Sequence, residues 1–109
     1  MLIDFAAMEE NVLPHFKGGE KEIAARMHVD ERNKIMRGRL IPGASIGLHT
    51  HDTGSEIIYI LSGAGRVLYD GGVETVAAGQ CHYCPKGHAH SLINDGPEDL
   101  LFFAVVPEQ

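Results

Sequence analysis

Turn-forming residues interrupt this chain so often that no long element fits between them. The clusters Pro42-Gly43, Asp52-Thr53-Gly54, Ser62-Gly63, Asp70-Gly71-Gly72, Ala78-Gly79, Pro85-Lys86-Gly87 and Asn94-Asp95-Gly96-Pro97 cut it into short segments. The segments between them are apolar or alternating, at 22–29, 33–41, 44–51, 56–62, 65–70, 73–77, 80–84, 89–94 and 99–106. Many short strands at this spacing predict an all-β, antiparallel sandwich or barrel. Asp70-Gly71 between two strand-like runs is a hairpin signal, because a primed turn needs positive φ, which Gly adopts cheaply. The one helical segment predicted is Phe5 to Asn11, with Asp4 as its N-cap.

Two runs are apolar at every position: Ile57 to Leu61, and Leu100 to Val106. A strand with one wet face alternates, so both faces of these two need cover, from a second sheet, from loops of the chain or from another subunit. With 109 residues the chain has room for one domain and one core. Its formal net charge of −6 argues against nucleic acid, whose binding needs a basic face. The chain likewise offers no basic patch for a membrane surface and no apolar run of the roughly 18–20 residues a span needs. MLIDFAAMEE has no basic leader region, which makes the cytoplasm the expected location. Cys81 and Cys84 form a C-x-x-C, but Pro85 follows at once and no βαβ pattern surrounds it. They are read as two small hydrophobes of a strand rather than a redox or zinc pair.

In a strand, residues two apart project from one face, so His49 and His51 stand side by side. Glu56 opens the next strand and faces back toward them if the two strands pair as a hairpin. His88 and His90 lie further on. Three imidazoles and one carboxylate would make a mixed N/O site suited to Mn, Fe, Co, Ni or Zn, with positions left for water or substrate. The whole spacing is Gly43, five residues, His49-x-His51, four residues, Glu56, six residues, Gly63. After 15 intervening residues comes Gly79, five residues, Pro85-x-Gly87, two residues, His90, three residues, Asn94. With each residue type at roughly 5%, one such five-position match arises by chance about three times in ten million starts.

These segments, 43–63 and 79–94, resemble the two motifs of the cupins. The resemblance implies a double-stranded β-helix, a jelly-roll barrel, spanning residues 1–109 as one domain, with 1–42 as N-terminal strands or an arm. It implies that His49, His51, Glu56 and His90 bind one divalent metal ion per chain inside one mouth of the barrel. Gly43 and Gly63 become turn residues, Pro85 and Gly87 shape the loop that delivers His90, and Asn94 forms a hydrogen-bonded turn. His88 is placed outside the ligand set.

Cupins carry many chemistries, so the cavity must be read from the chain itself. With Glu56 inward, parity puts Ile58 and Ile60 inward and Ile57, Tyr59 and Leu61 outward. The same rule puts Ser45 and Gly47 on the face of the two histidines. Arg37 and Arg39 share one parity on the preceding strand; they reach a substrate carboxylate as a fork or lie on the outer surface. Tyr83 and Cys81 share one face of their strand, His82 and Cys84 the other, and one of these pairs faces the cavity. The expected function is a metalloenzyme acting on a small organic molecule, with dioxygenase- or decarboxylase-like chemistry. The alternative is a metal-dependent binding or sensor module without turnover. The outward apolar stripe predicts a homodimer.

Overall fold

The computed structural model describes all 109 residues and contains ten strands. They are β1 (Asn11–Pro14), β2 (Glu22–Val29), β3 (Asn33–Leu40), β4 (His49–Thr50), β5 (Glu56–Ser62), β6 (Ala64–Tyr69), β7 (Gly72–Ala77), β8 (Cys81–Cys84), β9 (Ala89–Ile93) and β10 (Leu100–Pro107). A six-stranded sheet has the order β1-β2-β3-β10-β5-β8, and a four-stranded sheet the order β4-β9-β6-β7. All pairings are antiparallel. The two sheets face each other as the walls of a double-stranded β-helix, and no helix is long and apolar enough to cross a membrane.

Local chemistry sets the strand ends. Asp70 (φ 51°) and Gly71 (φ 76°) both take the left-handed conformation that a two-residue primed turn demands between β6 and β7. Gly43 and Gly63 also have positive φ. Asn94 is fully buried and fully bonded: its Nδ2 donates to the carbonyls of Leu40 and Glu98, and its Oδ1 accepts from the Gly96 amide. It thereby pins the corner after β9.

The inner faces interlock in one cluster of 14 buried residues drawn from both sheets, with Ile23, Met36, Leu40, Ile58, Phe102 and Leu92 among them. β10 lies between β3 and β5, and its Leu100, Phe102 and Ala104 are buried while Leu101, Phe103 and Val105 are half-buried. Part of the cover on its outer face is the N-terminal segment, where Phe5 sits edge-on to Phe103 at 6.1 Å.

That segment departs from expectation. Asp4 does cap a helical turn, accepting from the Ala6 amide, but the turn is a 3-10 turn of three residues, Phe5–Ala7. Asn11, placed in the helix from sequence, instead begins β1 and pairs with Ala25. So short a helix cannot repay its nucleation, whereas β2 offers an edge to pair with.

The second departure concerns residues 44–51, expected as one strand. Only His49–Thr50 forms a strand, with an isolated bridge from Ser45 to Ile93. Along the irregular stretch the alternation fails: Ala44, Ser45, Ile46 and Gly47 are all buried and Leu48 is exposed. Ser45 and Gly47 therefore do not share the histidines' face as an unbroken strand would require. Ser45 Oγ accepts from the Glu20 amide. Gly47 lies so close under the turn at Lys17 that an added Cβ would stand 1.9 Å from the Lys17 carbonyl oxygen.

Candidate metal centre

His49 comes from β4 and His90 from β9, and the two are cross-strand partners. His51 follows just past β4. The loop at Pro85–His88 holds it in place: the His51 amide donates to the His88 carbonyl, and the Gly87 amide donates to the His51 carbonyl. Glu56 opens β5, whose neighbours are β10 and β8. The hairpin expected to join the histidines to Glu56 is therefore absent. The chain crosses from the smaller sheet to the larger between His51 and Glu56, and the four side chains converge from opposite walls.

Their convergence is tight. One ligand atom from each of His49, His51, Glu56 and His90 lies within 4.8 Å of all the others. His51 Nε2 is 3.1 Å from His49 Nε2, 2.9 Å from His90 Nε2 and 3.0 Å from Glu56 Oε1. His90 Nε2 is 2.8 Å from the same carboxylate oxygen, and His49 Nε2 is 3.8 Å from it. Two donors about 2.1 Å from a shared ion and about 90° apart stand about 3.0 Å from each other, which matches most of these separations.

The hydrogen bonding behind the cluster explains why it wants a cation. His49 Nδ1 is 2.7 Å from the Gly47 carbonyl, which can only accept, so Nδ1 carries the proton and Nε2 presents a bare lone pair to the centre. Glu56 also presents only acceptors when ionised. Burial by itself raises the Glu56 carboxyl, but the surrounding imidazoles of His49, His51 and His90 outweigh it and hold the group well below the usual carboxylate range. Burial pushes the His90 imidazole down, against the opposing pull of the Glu56 carboxylate, and so favours the neutral form a metal needs. Acceptors converging in a buried space fit a divalent ion, and the N/O donor set could hold Mn, Fe, Co, Ni or Zn.

A cavity of about 170 Å³ opens beside His49, His51 and Glu56. Phe16, Lys17, Lys34, Met36, Ile46, Thr50 and Val106 complete its wall. Several side chains expected in it are elsewhere. Ile58 and Ile60 do point inward, but deeper, as fully buried members of the core. Arg37 and Arg39 lie on the outer face of β3, where Arg39 pairs with Glu10 at 2.8 Å and with Asp99 at 3.6 Å. The inward parity of β3 belongs instead to Lys34, Met36, Gly38 and Leu40, so the basic residue this strand sends to the cavity is Lys34. Tyr83 is 52% exposed, and the inward pair of β8 is His82 and Cys84. His88 stays outside the cluster and donates to the Asp70 carboxylate at 2.9 Å.

Sequence reasoning gave Lys34 no part in the site and left His82 as one of two alternatives for the inward face of its strand. Lys34 shares its parity with the core residues Met36 and Leu40, a signal present in the sequence. For His82 the parity of β8 was readable, but which parity faces inward depends on the pairing with β5 that sets Ile58 opposite His82. Cys84 is a free thiol pushed up to about 11 by burial and by the charges of Glu56 and Asp70, so it stays neutral.

Comparison with known proteins agrees with this architecture. The family described as "Cupin domain" matches residues 36–106. The "Oxalate-binding protein" of Thermotoga maritima is 32% identical over 114 residues, covering 97% of this chain and 93% of that protein. A crystal structure described as "a predicted oxalate decarboxylase" from Thermotoga maritima superposes with a TM-score of 0.94 over 100% of both chains, at 29% identity. An RmlC-like cupin from Shewanella frigidimarina shares the fold with a TM-score of 0.80, covering 99% of this chain and 90% of that one, at 15% identity. The two spaced motifs, the two-walled barrel and the matched residues together place this chain in the cupin family.

Proposed function

We propose that this protein holds one divalent metal ion on His49, His51, Glu56 and His90 and uses it to bind a small dicarboxylate of the oxalate class. The observation that carries this reading is the cavity beside the cluster, with Lys34 and Lys17 in its wall and neither engaged in an ion pair. In a chain of net charge −6, a metal ion and two lysines make a local positive site, which draws in and retains an anion. At about 170 Å³ the cavity lies below the roughly 300–1,000 Å³ of drug-sized sites, so it suits a ligand of few heavy atoms. The name of the Thermotoga maritima relative points to the same ligand.

The bound ion would supply Lewis-acid positions for ligand oxygens. The chain's own residues divide the remaining work. Lys34 and Lys17 neutralise carboxylate charge turned away from the centre. Phe16, Met36, Ile46 and Val106 keep water from the apolar wall, which strengthens each charge interaction inside.

Turnover is the second reading, in the direction of decarboxylation or oxidation. Four protein ligands leave room on a six-coordinate ion. Against it, the cavity wall contains no free carboxylate or imidazole beyond the cluster to act as general acid or base. Calorimetry of oxalate against metal-loaded and chelator-stripped protein tests the proposal. Binding should require the metal and should weaken at least tenfold in Lys34→Gln. Equal binding by stripped protein would overturn it. Release of formate or CO2, or consumption of O2, in the same samples would establish turnover.

We also propose that two copies of the chain pair through the outer face of the six-stranded sheet. The N-terminal segment reaches Phe103, but Ile57, Tyr59 and Leu61 remain 39%, 43% and 40% exposed. Together with Tyr83 on the neighbouring β8 they form an uncharged patch. A second copy can cover it without burying a charge.

A further inference from the structure

His82 is 2% exposed and stands directly behind His90. Its Nε2 lies 3.0 Å from His90 Nδ1, and its Nδ1 lies 2.7 Å from Glu74 Oε1. The three residues come from β8, β9 and β7, so the chain of contacts runs from the smaller sheet to the larger and back. The His82 and His90 rings meet edge to edge, with centroids 5.2 Å apart and planes 27° apart, and Tyr69 packs edge-on to His82 at 5.3 Å. Packing therefore fixes the ring in place.

Hydrogen-bond logic then gives the whole row one polarity. The Glu74 carboxylate can only accept, so His82 Nδ1 carries a proton and donates it. In the neutral ring His82 Nε2 is then an acceptor, and only His90 Nδ1–H can donate to it. With its one proton committed to Nδ1, neutral His90 presents a bare Nε2. That atom is the one that faces Glu56 and His51 in the cluster. The Gly47 carbonyl does the same for His49 through a backbone atom. For His90 the task falls to two side chains, and the terminal one, Glu74, is half-exposed.

We propose that Glu74 and His82 are positioning residues that lock His90 in the Nδ1–H tautomer and make its Nε2 a stronger, pre-aimed ligand. This rests on the metal-site reading for its consequence, but the tautomer itself is a property of the metal-free protein. A hydrogen bond to the far nitrogen of a ligating imidazole fixes the ring and raises its basicity, and losing such a partner typically lowers metal affinity by about 10–100-fold.

The test has two parts. Long-range ¹H–¹⁵N spectra of the metal-free wild-type protein above pH 7 should show His82 and His90 both protonated at Nδ1. An Nε2-protonated His90 there overturns the proposal, whatever the variants do. Zn2+ affinity, measured by competition with a chromogenic chelator, should fall about 10–100-fold in His82→Leu. It should recover in His82→Gln, whose amide oxygen can still accept from His90 Nδ1–H. Glu74→Ala should lose less, and Glu74→Gln less again, because an amide oxygen still accepts from His82. Thermal melts of the metal-free variants separate folding from affinity. If His82→Leu is folded and binds Zn2+ as tightly as wild type, the positioning role is wrong. If His82→Leu and His82→Gln lose affinity equally, His82 acts by packing alone and the proposal also fails. Wild-type protein that shows the expected tautomers but takes up no Zn2+ would contradict the metal site and the proposed gain in affinity, while leaving the tautomer lock standing.

Discussion

At the scale of single residues, opposing electrical effects at Glu56 and His90 decide how the site responds to acid. Glu56 is held well below its ordinary 4.5, so in the fold it binds a proton less readily than in the unfolded chain. Its contribution to stability is present above 4.5 and is lost as pH falls through its lower folded value. His90 is also held below its ordinary value of 6.5, mainly by burial. The unfolded chain takes up that proton first, so stability falls as pH drops below 6.5. Metal-free protein should therefore weaken in two stages on acidification, and Glu56→Gln should lose the lower stage. Urea melts at a series of pH values read this directly; a wild-type curve flat from neutrality to pH 4 would contradict it. The cysteines carry no such burden. Cys84 is buried and neutral, Cys81 is exposed, and neither belongs to the cluster. The double variant Cys81→Ser, Cys84→Ser should fold and keep its metal content by elemental analysis.

At the scale of elements, much is legible in the sequence. β2 and β5 occupy the runs expected of them, at 22–29 and 56–62, and the Asp70-Gly71 turn has the dihedral angles its residue types demand. Alternation was readable where strands are regular: Glu56, Ile58 and Ile60 are buried and Ile57, Tyr59 and Leu61 are exposed. It was unreadable where they are not. Residues 44–48 pass between sheet and turn, and backbone packing against Lys17 replaces a regular ladder. The four converging side chains could be named from the resemblance to the two cupin motifs, yet the path that joins them could not. Spacing does not say whether Glu56 returns to the same sheet or crosses to the other one. Of the two places left open for Arg37 and Arg39, the structure takes the outer surface; the parity was hard to read because Gly38 interrupts the inward apolar series of Met36 and Leu40. β10 now serves as the central test of the barrel. Phe102 is fully buried on it, so Phe102→Ala should cost about 3–5 kcal/mol in chemical denaturation. Tyr83→Ala on the exposed side of β8 should stay within about 0.5 kcal/mol for the monomer. Comparable losses at both positions would mean that the core has been misplaced.

At the scale of the whole molecule, an apolar stripe on the outer face and an inner cavity walled by two lysines have different tasks. The outer stripe of Ile57, Tyr59 and Leu61 on β5 predicts association, since fully burying an Ile or Leu contributes roughly 1.5–3 kcal/mol. Light scattering at micromolar concentration should give about twice the chain mass of 11.9 kDa, and Tyr59→Lys should shift it toward monomer. A monomer in wild type would show that the N-terminal segment, already seated on Phe103, is cover enough. The role proposed for the inner cavity depends on a metal. Elemental analysis of purified protein after equilibration with Mn2+ or Zn2+ and removal of excess is the most direct measurement. The site described here predicts one divalent ion per chain in wild type and close to none in the variant His49→Ala, His51→Ala, with both proteins folded. A double variant that retains the full complement of metal would show that the ion is bound elsewhere, and the functional reading would fall with it.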